Sequence, residues 1–143
     1  MNIKNTKNIV LATAIVTSVL IFLSFLNLGR IDYVKYMFWP ISLASLIMII
    51  ITIAKVNKIL DSNIKKLNKG LLICLILDFV IAIIMVFSSI ILLILIKQNS
   101  SSIGIMAIMT ITSSVISSII NITTLVLLWV IWAKIKIPKV ENL

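Results

Sequence analysis

The sequence predicts an all-α integral membrane protein, a bundle of four antiparallel transmembrane helices with both termini in the cytoplasm. Hydrophobic residues make up 62% of the 143 and charged residues only 12%, against about 45–50% and about 25% in an average soluble domain. The apolar residues gather into four runs, at 9–28, 36–54, 71–96 and 103–133. The 13 Lys and Arg, set against 4 Asp and Glu, all fall between or beyond those runs. The chain therefore reads as one membrane domain, 1–143, with a basic cytoplasmic hairpin at 55–70.

The first run, 9–28, matches the roughly 20 residues at 1.5 Å each that cross a ~30 Å hydrocarbon core. Lys4 and Lys7 precede it as they would a signal peptide. Its apolar length exceeds the h-region of about 7–15 residues, however, and Asn27-Leu28-Gly29-Arg30 offers no small-residue cleavage site. It is read as a helix. The second run, 36–54, is entered through Tyr33, Tyr36 and Trp39, residues suited to an interfacial aromatic belt, and Pro40 is expected in its first turn.

Residues 55–70 carry Lys55, Lys58, Lys65, Lys66 and Lys69, interleaved at near-helical spacing with Val56, Ile59, Leu60, Ile64 and Leu67. Asp61-Ser62-Asn63 supplies side-chain oxygens for a turn and a helix N-cap. The second and third helices are expected to project past the lipid and join there. The lysines serve topology in the first place, and they also suit anionic lipid, at about 1 kcal/mol per surface Lys, or an acidic partner. The third and fourth runs are longer than a span requires, an excess that tilt, a kink or projection into the interface absorbs. Trp129 and Trp132 mark the inner end of the fourth.

Orientation follows from the cations. Ten lie in the N-terminal tail (Lys4, Lys7), the second loop and the C-terminal tail (Lys134, Lys136, Lys139), whereas the first and third loops hold Arg30, Lys35 and Lys97. The positive-inside rule places the first set in the cytoplasm. Heavy use of Ile, Lys and Asn, with Arg30 the only arginine, is the bias of an AT-rich genome. The expected location is a bacterial cytoplasmic membrane, crossed several times.

Polar residues inside the runs fall on seams. In the fourth helix Ala107, Thr110, Ser114, Ser117, Asn121 and Thr124 follow a 3-4-3-4 spacing, the signature of one packed face, with Thr110, Ser114 and Ser117 as its helix-packing centre. Comparable faces are Thr13, Thr17, Ser24 and Asn27 in the first helix, Ser42, Ser45 and Thr52 in the second, and Cys74, Asp78, Ala82, Met85 and Ser89 in the third. Small and hydroxylated residues let backbones approach, while Ile and Leu suit lipid.

Asp78 is the one Asp, Glu, Lys or Arg inside any run. Seven residues beyond Leu71, it lies roughly 10 Å into the membrane. An ionised carboxylate costs about 2.5–3.5 kcal/mol there on insertion scales, so it must face the bundle, water or a cation, or be protonated. Counting back a similar depth from Trp129 and Trp132 makes Asn121 and Thr124 the expected partners of this candidate intramembrane polar site.

Catalysis is disfavoured. His is absent and the spans hold no Lys, so no base stands beside a Ser, Thr or Cys nucleophile. Asp32, Asp61 and Glu141 lie outside the runs, leaving Asp78 without a second acid. With Cys74 the lone cysteine, no metal ligand set or cofactor site is expected. The sequence pI of 10.0 reflects topogenic lysines, so nucleic acid is not an expected ligand.

The span count and length are similar to those of the small multidrug transporters that work as dimers, whose membrane acid is a Glu in the first span; residues 9–28 contain no acid. The layout also looks like small four-span bacteriocin-immunity and transporter-accessory proteins. The expected function is non-enzymatic, by association with another membrane protein or with a second copy, in an accessory, immunity or regulatory role. Its partners are the lipid bilayer and that protein. A proton- or cation-coupled transporter or channel centred on Asp78 is the alternative, and a holin-like permeabiliser a third.

Overall fold

A backbone in hydrocarbon must satisfy its own hydrogen bonds, and a run of apolar residues does so as a helix. In the computed structural model, which describes residues 3–28, 32–59, 61–97 and 103–136, the four runs lie within four helices. These are α1 (Ile3–Leu28), α2 (Asp32–Val56), α3 (Ser62–Lys97) and α4 (Ile103–Lys134). Three of the four start before their apolar run. Helical hydrogen bonding continues as long as one face can pack, whatever the polarity of the other face.

The α2–α3 connection illustrates this. The last turn of α2 tightens, with Lys58 N donating to Lys55 O at 3.3 Å and Ile59 N to Val56 O at 2.9 Å. Asp61 then caps α3: its Oδ1 accepts from the backbone N–H of Asn63 at 2.8 Å and of Ile64 at 3.3 Å. Val56, Ile64, Asn68 and Leu71 are buried, while Lys55, Lys58, Lys66 and Lys69 are exposed. The facing ends of α2 and α3 therefore bury their apolar side.

Three helices carry stretches long and apolar enough to cross a membrane: Ile3–Ser24, Ser62–Ile91 and Ile111–Lys134. Within α2 the corresponding apolar stretch, Pro40–Val56, is shorter. One expectation is corrected here. Because α2 starts at Asp32, Pro40 lies inside the helix and not in its first turn, so the carbonyl of residue 36 lacks the usual i+4 amide partner.

Packing joins the helices in a ring: α1 touches α2 and α4, and α3 touches α4 and, over the smallest contact, α2. Thr13 and Thr17 on α1 meet Thr52 and Ser45 on α2, so partners fall along α2 as they rise along α1. Gly70 lies beside Leu127, and Asp78 meets Ser117, the same relation between α3 and α4. All four helices share one buried cluster of Val10, Ala14, Ile49, Val56, Ile64, Leu71, Leu128 and Ile131, closed by Ile135. Its members lie toward the lysine-bearing ends of the helices. Beyond it α3 and α4 expose apolar side chains, among them Phe79, Ile83, Phe87, Ile111 and Ile119.

Candidate functional site

Hydroxyl groups in the structure divide into two kinds. Thr112, Ser118 and Thr123 on α4, and Ser89 on α3, are exposed and donate to the carbonyl four residues back at 2.8–2.9 Å. Such a hydroxyl satisfies its own proton without a second helix. Others reach across. Thr13 Oγ1 lies 2.8 Å from both Ile9 O and Thr52 Oγ1. With its single proton directed to Ile9 O, Thr13 accepts from Thr52. Thr17 and Ser45 stand 3.2 Å apart one turn further along, and all four side chains are buried. The α1–α2 contact is thus held by hydroxyl pairs where their backbones come close.

The described part of the α4 seam packs from Ser117 onward and not at Ser114. Ser117 and Asn121 are half-buried and Thr124 is buried, and the same spacing continues through buried Leu128, Ile131 and Ile135. Ser114 is exposed and makes an interaction of its own. The side chains of Ala107 and Thr110 lie outside the described residues, as do those of Asn27, Tyr33, Lys35, Tyr36, Trp39 and Lys97, and residues Arg30, Leu60, Lys139 and Glu141. On α3 the expected face is partly displaced. Cys74 is buried and Asp78 and Met85 half-buried, but Ala82 and Ser89 are exposed and Ser88 is buried in place of Ser89. Ser88 stands two heptads after Cys74 and stays near its face, whereas Ser89, one residue later, is carried about 60° past it at 3.6 residues per turn.

Asp78 sits near the middle of the 36-residue α3, and Ser117 near the middle of the 32-residue α4. Ser117 Oγ donates to Asp78 Oδ1 at 2.9 Å. This is the one hydrogen bond to the carboxyl among the described residues, and it comes from the packing seam. Asn121 and Thr124, the partners expected from depth, share that stripe one and two turns away. The offset has a physical origin. The pairing of Gly70 with Leu127 sets Leu71 level with about residue 125, so Trp129 and Trp132 lie beyond Leu71, beside the lysine-rich start of α3. A depth of the same number of residues measured back from the tryptophans therefore stops short of Ser117.

Beside Asp78, Phe79, Ala82, Ile83, Val86 and Phe87 line an open apolar groove of about 310 Å³ on α3. Ala82 supplies its small floor one turn from the carboxyl. At the opposite end of the core, Ile3, Ile59, Asp61, Ile64, Lys134, Ile135 and Lys136 line a cleft of about 230 Å³. Nearby Lys7 Nζ donates to Ile135 O at 2.9 Å and lies 4.9 Å from the ring centre of Trp132. Trp132 in turn meets Trp129 edge to face at 5.7 Å and 84°. One cation thereby closes the end of α4 onto α1, an interaction with no signature in either helix alone. Of the basic hairpin, Lys55, Lys58, Lys66 and Lys69 are exposed and Lys65 is half-buried.

Asn68 is the polar residue the sequence reading passed over. It is buried, its Nδ2 donates to Ile53 O at 3.0 Å, and among the described residues its Oδ1 has no hydrogen-bond partner. Its position one turn after Ile64 and three residues before Leu71 is the available signal. Among the described residues no three of His, Cys, Asp and Glu come together. No family model, curated protein or solved structure matches the chain.

Proposed function

We propose that this chain is a four-span integral protein of a bacterial cytoplasmic membrane, an antiparallel bundle with both termini cytoplasmic. It acts without catalysis, by lateral association in the bilayer. The observation that carries this reading is the half-buried carboxyl of Asp78, near the middle of α3, with one hydrogen bond among the described residues and an apolar groove beside it that none of the described residues fills. A carboxyl at that depth is costly unless paired. A second helix seated on α3 supplies the missing partner and covers the groove.

The register of α1 against α2 and of α3 against α4 supports the antiparallel arrangement. The lysines of the 55–70 hairpin and of the α4 end support the cytoplasmic side. Exposed hydroxyls that bond to their own helix argue for packing over a hydroxyl-lined path for solutes.

Crosslinking in intact membranes followed by purification in mild detergent tests the association. The chain is expected to migrate with a partner or a second copy; recovery as a lone monomer with no adduct would overturn the proposal. Proton or cation flux in reconstituted vesicles that vanishes in Asp78→Asn would instead establish a transporter.

A further inference from the structure

The groove beside Asp78 raises the question of what chemistry its occupant carries, and the distribution of charge in this chain answers it. All 13 cations lie outside the apolar runs. A second copy therefore has no basic side chain to offer at the depth of Asp78. A symmetric α3–α3 contact uses the same patch twice and brings two carboxyls together, which raises the cost of both. A bare cation is no better served. Hard cations such as calcium take six or more oxygens, whereas Asp78 and Ser117 form a hydrogen-bonded pair with no acidic cluster around them among the described residues.

We infer that α3 binds a transmembrane helix of a different protein, one that carries a Lys or Arg at the depth of Asp78. That side chain would pair with Asp78 while the helix lies in the groove lined by Phe79, Ala82, Ile83, Val86 and Phe87. This rests on the association reading and fixes the kind of partner. Ser117 occupies Oδ1 and leaves Oδ2 to accept from an ammonium or guanidinium. The aliphatic stem of a Lys or Arg runs along apolar surface. Ala82, one turn beyond Asp78, permits the backbone approach that a bulkier residue would block.

The test uses the full chain in phosphatidylcholine vesicles, with energy transfer to a labelled leucine–alanine transmembrane peptide bearing one lysine about seven residues into its span, the depth of Asp78. The same peptide with leucine at that position is the control. The lysine peptide is expected to bind the wild-type chain about tenfold or more tightly than it binds Asp78→Asn, a difference of about 1.4 kcal/mol. The leucine peptide should not distinguish the two chains. Asp78→Glu, which keeps the charge, is expected to retain binding, and helical circular dichroism of each variant checks that the bundle is intact. Equal binding of both peptides, or equal binding of the lysine peptide to wild type and Asp78→Asn, would overturn the inference. Were crosslinking in native membranes still to capture a partner, association would stand and only its charge-paired form would fall.

Discussion

Single side chains at helix contacts set the first scale of the energetics. Thr13 and Thr52 share a buried 2.8 Å contact, and interhelical hydrogen bonds in membranes average about 0.6 kcal/mol. Thr13→Val, which keeps the shape and removes the hydroxyl, is expected to destabilise by about that amount in a denaturation series in detergent micelles. Lys7→Ala removes both the bond to Ile135 O and the contact with Trp132. The cation–π part alone is worth about 0.5–1 kcal/mol, and a changed tryptophan emission should accompany the lower thermal midpoint. Unchanged emission would place Lys7 elsewhere. The sequence contained the polar residues of these contacts but not their pairing. Thr13 and Thr17 are legible as a seam because 3.6 residues make a turn, whereas meeting Thr52 and Ser45 depends on a register that only tertiary packing sets. The same limit explains why Ser117, and not Asn121 or Thr124, donates to Asp78.

At the scale of elements, each helix presents one packed stripe and one apolar surface suited to lipid, and apolar periodicity finds the helices well. It misses where they begin. α3 starts at Ser62, nine residues ahead of its apolar run, because Ile64, Leu67 and Asn68 extend the packed face through a lysine-rich stretch. Hydropathy averages those lysines with the core residues beside them and records only the polarity. Pro40 within α2 leaves one carbonyl without its amide donor, and a proline inside a helix costs ~3 kcal/mol in water. Pro40→Ala is expected to raise the thermal midpoint of the purified protein. A lowered midpoint would mean that the bundle is built around the missing bond.

For the whole molecule, four-helix packing is concentrated toward the lysine-bearing ends, and α3 and α4 leave that core with broad apolar surfaces and one half-buried acid. Cation placement in the sequence is the basis of the proposed orientation. A reporter fused after Leu143 is expected to be active only in the cytoplasm, and extracytoplasmic activity would reverse the topology. The exposed groove was not legible, since a face of Ile, Val and Phe reads identically whether it meets lipid or another helix. Photocrosslinkers placed at Ile83 or Phe87 on α3, and at exposed Ile47 on α2, separate those two cases in intact membranes. The account predicts a discrete protein adduct from Ile83 or Phe87 and none from Ile47; lipid adducts alone from all three positions would contradict it.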